Sequence, residues 1–386
     1  MRGNRLYKSL DRLVGQLGVL ALAPFSRRTS GPAVLASPRR VLVVKLAALG
    51  DTVLLVPAVR ALRERFPDAE VTLVCTGVNE AAARLYPGCF DRILRLEVGR
   101  ALREPAYLLD FVRGLRALRF DVVFDFEQWP YVSPILLRLA GIPVRVGFRT
   151  GARTRHLLYT HVRERRGDRH EAENFLHLLG AVGIEPPAPV LELPVAEEAR
   201  RDVVEGLRAD GWNGEDPLVV VHPGCGSHGF PREWPLASYE ALCTRLLAAG
   251  EAFFVFTGGP DERHLTGPLA AALGGRGTAR TELTLERFAA LVSLARLVVS
   301  GNTGAMHLAA AAGVPQVALH GPTDSAKWGP LNPRAVVIRS SCPECPCLDL
   351  GHEFHRTDGF CMAQIPVDEV YRAAVAALGM AASHAA

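Results

Sequence analysis

VLVVKLAALGDTVLLVPAVRALRERF (residues 41–66) passes from a near-continuous apolar run into a glycine-containing turn and then into a segment with helical apolar spacing. A run such as VLVVKL (41–46) suits a strand covered on both faces, as in a parallel sheet, because a half-exposed strand would alternate polar and apolar residues. Outward from it the unit repeats. Strand-like runs fall at 71–75, 92–97 and 121–126, and 145–148 supplies another short strand. An Arg/His-rich loop is expected from there to about Asp168, then a helix around 171–182. GIEPPAPVLELP (183–194) reads as a linker, since Pro186, Pro187 and Pro189 favour an extended path. The pattern then restarts: helix 196–209, strand 218–222, helix 236–249, strand 252–257, helices 261–273 and 285–294, strand 296–300, helix 304–312 and strand 314–319.

The expected fold is therefore α/β, with two Rossmann-like domains facing a cleft. The divisions are a basic amphipathic arm (1–38), a first domain (39–182), the linker, a second domain (195–365) with a cysteine-rich loop (341–362), and a C-terminal helix and tail (366–386). The 386 residues are 49% hydrophobic and 22% charged, which excludes a wholly disordered or collagen-like chain. Of 44 basic and 40 acidic groups, nine basic and only Asp11 fall in the first 50 residues, so the remainder carries 35 against 39. The body is not a polycation, and no nucleic-acid partner is expected.

Ligands of open parallel sheets sit beyond the carboxyl ends of the strands, so the loops there hold the candidate chemistry. After the first strand come Lys45, then Gly50, Asp51 and Thr52 at a helix start, with neither a dinucleotide fingerprint nor a phosphate loop. Asp51 is either an N-cap or a carboxylate that takes a proton from a bound hydroxyl. HPGCGSHGFPREWP (222–235) runs from His222 through a small-residue loop, in which N–H groups around Gly224 and Gly226 can face an anion, to Arg232, which can hold phosphate. FTGGPDE (256–262) repeats the design and ends on Glu262, a cap or a ligand of sugar hydroxyls. In SGNTGAMHL (300–308), Asn302, Thr303 and Gly304 lead into a helix whose N–H groups suit a diphosphate, with His307 on its first turn.

These blocks resemble the glycosyltransferase family that includes the bacterial lipopolysaccharide heptosyltransferases: VVKLAALGDTVLLVPAVRALRERFP (43–67), HPG with REWP, FTGGPDE and SGNTGAMHLAAAAGVPQVALHGPTD (300–324) with Trp328-Gly329-Pro330. The resemblance extends over about residues 41–375. It implies a two-domain nucleotide-sugar transferase, with acceptor bound mainly by the N-terminal domain and donor by the C-terminal one. Asp51 then matches the catalytic base, and Lys45 is a candidate on the acceptor side. Arg232 stands where many members have a phosphate-binding Lys, Glu262 matches an acid near donor hydroxyls, and Thr303, Gly304 and His307 match the diphosphate and sugar turn. His222 and Gly224 join the donor set. Asn302 occupies a position where heptosyltransferases commonly have Asp; Asn hydrogen-bonds but supplies no negative charge, so the departure bears on the donor sugar more than on the reaction.

The implied activity is inverting transfer of a sugar, with heptose from ADP-heptose as the leading expectation, to a lipopolysaccharide core or related glycan or glycolipid acceptor. A nucleotide-sugar epimerase and a non-catalytic binder are the alternatives. No cofactor is expected for catalysis. Cys342, Cys345, Cys347 and Cys361 could hold a structural zinc or, as an alternative, an iron–sulfur cluster, with His352 or His355 as substitute ligands. In the arm, Leu6, Leu10, Leu13, Leu17 and Ala21 recur at helical spacing with Arg2, Arg5, Lys8 and Arg12 on other positions. That pattern suits either an anionic inner-membrane surface or packing onto the arm's own domain. Gln16 interrupts the short apolar run and argues against a cleaved signal, and the enzyme is expected in the cytoplasm, peripheral to the inner membrane.

Overall fold

The computed structural model describes residues 5–26, 35, 37–226, 230–349, 353–354 and 358–380. The chain divides into two compact units, Met1–Val190 and Leu191–Ala386.

In the first unit six strands, β1 Arg40–Val44, β2 Glu70–Cys75, β3 Arg92–Arg95, β4 Val122–Asp125, β5 Val144–Arg149 and β6 His161–Glu164, form one sheet in the order β3-β2-β1-β4-β5-β6. Every pairing is parallel, and β1 lies between β2 and β4, with Val41 opposite both Val71 and Val122. Helices α1 Arg5–Leu22, α2 Leu49–Arg65, α3 Gly77–Arg84, α4 Val98–Arg103, α5 Pro105–Ala117, α6 Val132–Leu139 and α7 Glu171–Leu179 complete the unit. Side chains alternate across a strand, so Leu42 and Val44 join the core formed with Leu115, Phe120 and Leu136, while Val41 and Val43 are buried on the other face. The unbroken apolar run is thereby accounted for.

The stretch expected to be loop up to Asp168 instead contains a 3-10 turn at Thr154–Leu158 and the edge strand β6. HVRE has one aliphatic residue because an edge strand is covered on fewer sides, and its burial falls off from His161 to Glu164. Tyr159 enters the core directly over Gly147, where a Cβ would overlap its ring.

The second unit repeats the plan. Strands β7 Leu218–His222, β8 Phe253–Thr257, β9 Gly277–Arg280, β10 Leu297–Gly301, β11 Gln316–His320 and β12 Ala335–Arg339 form a parallel sheet in the order β12-β11-β10-β7-β8-β9. Its helices are α8 Glu197–Ala209, α9 Leu236–Ala249, α10 Arg263–Ala272, α11 Leu285–Leu294, α12 Gly304–Ala311, α13 Ser325–Trp328, α14 Phe360–Ala363 and α15 Val367–Leu378. A short antiparallel pair, β13 Leu348–Asp349 and β14 Glu353–Phe354, sits in the cysteine-rich segment. Apolar periodicity passes over β9 (GTAR) and β12 (AVVIR), which are half-exposed edges.

Both sheets build outward from their first strand, then return beside it and build the other way. The reversal falls between β1 and β4 in one unit and between β7 and β10 in the other, the point at which doubly wound sheets open a crevice beyond their carboxyl ends.

Helix α1 docks on its own unit. The Asp11 carboxylate accepts from the backbone N–H groups of Tyr131 (2.9 Å) and Val132 (3.0 Å), capping the start of α6 from outside the helix. Burial raises the Asp11 pKa, and these two hydrogen bonds oppose the rise. Gly15 and Gly18 bring the helix against Tyr131 and Ile135, and Val19 is fully buried between Tyr131 and Leu158. Leu13 and Leu17 point away, 68% and 62% exposed, with Val14 and Leu20 also exposed. Arg2 and the side chains of Arg5, Leu6, Lys8 and Leu10 lie outside the described residues. Among the described residues no helix is long and apolar enough to cross a membrane.

Candidate active site

In the first unit the reversal of strand order places the turns after β1 and β4 side by side. Lys45 leaves β1 only 2% exposed, and its Nζ lies 3.2 Å from Asp51 Oδ2 and 3.2 Å from Glu127 Oε1. Its ammonium also sits 5.6 Å from the Phe175 ring centroid. Glu127 Oε1 accepts as well from the N–H groups of Leu46 (2.6 Å) and Ala47 (3.1 Å), so one carboxylate holds the whole β1–α2 turn. Asp51 is buried in the first turn of α2, whose N-cap is Ala48; its carboxylate faces Lys45. The Asp51 anion thus has a lysine counter-charge and the positive end of a helix beside it.

A buried layer positions these groups. Asp125, at the end of β4, accepts from the Tyr159 hydroxyl (2.5 Å), the Arg155 guanidinium (3.2 Å) and the Glu127 N–H (3.0 Å). Arg155 also donates to the Glu127 carbonyl at 2.6 Å. Burial pushes Asp125 up and Arg155 opposes it. Glu171 accepts from Gln128 and, at 2.5 Å, from Arg165. Burial raises the Glu171 pKa; Arg165 opposes most strongly, the charge of Asp51 adds to the rise, and Lys45 opposes it. Sequence reasoning missed Asp125, Glu127, Arg155 and Glu171. A signal existed for the first two: DVVFDFEQ (121–128) puts acids at the carboxyl end of a strand too apolar to be exposed.

In the second unit the ends of β7, β8 and β10 and the loops after them carry the other candidates. Glu262 Oε1 accepts from the Gly226 N–H (2.8 Å) and Oε2 from the Gly259 N–H (2.7 Å), so this buried carboxylate fastens two glycine loops. Gly224 is required here because a Cβ would overlap that carboxylate. His222 meets Thr257 Oγ1 at 3.0 Å, and burial lowers its pKa against the opposing charge of Glu262. Arg232 forks between the carbonyls of Asn302 (3.1 Å) and Cys225 (3.3 Å), bridging the loops after β10 and β7 where the strand order reverses. Its Nε has no hydrogen-bond partner among the described residues. Ser227, His228 and Gly229 lie outside them.

Asn302 is itself held, its amide donating to the Trp328 carbonyl at 3.2 Å. Thr303 is the extended N-cap of α12; its hydroxyl makes no capping bond and finds no partner among the described residues. The first amides of any α-helix lack intrahelical acceptors, and in α12 these are the N–H groups of Gly304, Ala305 and Met306. His307 is buried one residue further on. Thus the structure gathers His222, Gly224 and Glu262 around one pair of loops and Arg232, Asn302, Thr303, Gly304 and His307 around the adjoining pair. It brings Lys45 and Asp51 together in the other unit.

Comparison with known proteins matches residues 108–357 to the family described as glycosyltransferase family 9 (heptosyltransferase). Lipopolysaccharide heptosyltransferase 1 of Pseudomonas aeruginosa is 29% identical over 320 residues, covering 80% of this chain and 86% of that one. Among solved structures, the glycosyl transferase family 9 protein from Veillonella parvula is similar with a TM-score of 0.73 and 22% identity over 88% of this chain and 97% of that one. The E. coli ADP-heptose lps heptosyltransferase II gives 0.70 and 23% identity over 88% and 98%.

Proposed function

The chain belongs to glycosyltransferase family 9, the heptosyltransferase family, and we propose that it transfers heptose from ADP-heptose, with inversion, to a lipopolysaccharide core or related glycolipid acceptor. The observation that carries the mechanism is Asp51: a buried carboxylate on the first turn of α2, 3.2 Å from Lys45, at the point where the first sheet reverses its strand order. Asp51 takes the proton of an acceptor hydroxyl as that oxygen bonds to the anomeric carbon. The bond from the anomeric carbon to the diphosphate breaks in the same step, and direct displacement inverts the centre. Charge grows on the leaving ADP, where the α12 amides, Arg232 and His307 stabilise it. Lys45 orients the base through its shared contact with Glu127.

The family and the similar E. coli ADP-heptose lps heptosyltransferase II support heptose as the donor sugar. Membership of a transferase family favours transfer over the epimerase and non-catalytic alternatives. For localisation, the exposed Leu13, Val14, Leu17 and Leu20 of a helix in a strongly basic stretch support attachment to the anionic, cytoplasmic face of an inner membrane. The test is incubation of purified protein with ADP-heptose and a lipopolysaccharide-core acceptor, read by product mass and by the anomeric configuration of the new linkage. One added heptosyl group of inverted configuration is expected. Donor consumption without a glycan product, or binding without turnover, would overturn the reading.

A further inference from the structure

The loop beyond β12 leaves the sheet, turns through CPECPC (342–347), forms the β13–β14 pair and returns as α14. The excursion ends with four cysteines in one cluster: Cys342, Cys347 and Cys361 are buried, and Cys345 packs against them half-buried. The sulfurs of Cys342, Cys345 and Cys361 all lie within 4.8 Å of one another. All four are free thiols, and Cys361 Sγ stands 3.7 Å from Cys342 Sγ. That separation is far longer than the ~2.05 Å of a disulfide. It equals the edge of a tetrahedron of thiolates around one ion, because a metal–sulfur bond of ~2.3 Å gives an edge of ~3.8 Å.

We propose that Cys342, Cys345, Cys347 and Cys361 form a structural site for a single thiophilic divalent metal ion, with zinc as the occupant the donor set fits. Four soft ligands leave no open position, so the site is closed and not a catalytic one. In a four-iron cluster each thiolate binds a different iron and the sulfurs stand further apart, so the close Cys342–Cys361 pair suits one ion. His352 and His355, the substitute ligands considered from sequence, lie outside the described residues; three sulfurs converge, and Cys347, packed in the same cluster, is the fourth ligand the proposal assigns.

The consequence is local and mechanical. The N–H groups of Cys347 (3.0 Å) and Leu348 (2.8 Å) donate to the carbonyl of Pro322, tying the excursion to the loop after β11. Next to Cys361, the Met362 side chain fills the space where a Cβ on Gly321 would stand. Three residues further along, the Ile365 carbonyl accepts from Trp234 Nε1 at 3.1 Å, only two residues from Arg232. A metal there braces the loops after β7 and β11, which carry Arg232 and Gly321-Pro322-Thr323.

Metal analysis of full-length protein purified without oxygen, followed by cobalt(II) titration of the reduced, metal-stripped chain, tests the site. Expected are about one zinc per chain and tetrahedral thiolate–cobalt absorption that saturates near one equivalent. Cys361→Ser should lose both, while Cys89→Ala in the first unit should keep both. Iron at the same one-per-chain stoichiometry supports the four-thiolate site equally. Absence of stoichiometric metal together with no cobalt spectrum overturns the proposal, as does full metal retention in Cys361→Ser. Should that variant not fold, the cobalt titration of the unaltered chain decides alone.

Discussion

Replacing Lys45 by Met removes a cation that two buried carboxylates share, 3.2 Å from Asp51 on one side and 3.2 Å from Glu127 on the other. At that distance each contact has a gross Coulomb energy of roughly 5 kcal/mol in an effective dielectric of about 20. Desolvation of the three groups offsets much of it, and the measurable loss is that of breaking a buried pair from one side, about 3–5 kcal/mol. Adding Glu127→Gln should partly reverse the damage: a Gln oxygen still accepts from the Leu46 and Ala47 N–H groups, and one uncompensated charge disappears. The double variant is therefore expected to be more stable than the sum of the two single losses predicts by about 1–3 kcal/mol, a coupling of the size neighbouring groups show. Urea unfolding of the four proteins gives the cycle, and hydrogen exchange on peptides from β1 and α2 locates it. Additive free energies, or a Lys45→Met protein within about 0.5 kcal/mol of the unaltered one, would refute the shared-cation reasoning.

Three further outcomes follow from other contacts. Burial draws His320 down to about 4, so an unfolded chain binds a proton that the folded one does not; stability should fall by roughly 3 kcal/mol between pH ~6.5 and ~4 and level off below, and acid unfolding with no slope in that window contradicts it. Gly224→Ala drives a methyl group into the Glu262 carboxylate, and a cost of about 1–3 kcal/mol with weaker ADP binding is expected by calorimetry; unchanged ADP affinity would separate that loop from the donor. Leu17→Ser, on the 62% exposed face of α1, should lower cosedimentation with anionic vesicles while the thermal midpoint stays put, and equal sedimentation would leave the helix without a membrane role.

The sheets were legible because β1, β4, β7, β8 and β10 are buried on both faces, and only unbroken apolar runs satisfy that. The edges β6, β9 and β12 were not, because a strand such as GTAR or HVRE is stabilised by a neighbour supplied from elsewhere in the chain. The glycine turns that carry the candidate residues could be located because a turn after a buried strand has a recognisable composition. Arg155 could not be assigned: its role depends on reaching Asp125 and Glu127, distant in sequence, a pairing that no local pattern encodes. Glu262 was read as a cap or a sugar ligand, and its two backbone contacts make it a cap of two loops at once. The arm's leucines pointed to amphipathicity, but Gly15, Gly18 and Asp11 determine which side docks.

The central claim is that Asp51 removes the acceptor proton, and single-turnover kinetics of Asp51→Asn with ADP-heptose and a core acceptor test it most directly. Asn preserves size and hydrogen bonding while losing the basic oxygen, so turnover should fall roughly 10²–10⁴-fold with ADP-heptose affinity unchanged. Turnover equal to that of the unaltered enzyme, with the variant shown to be folded, would contradict the assignment of the base.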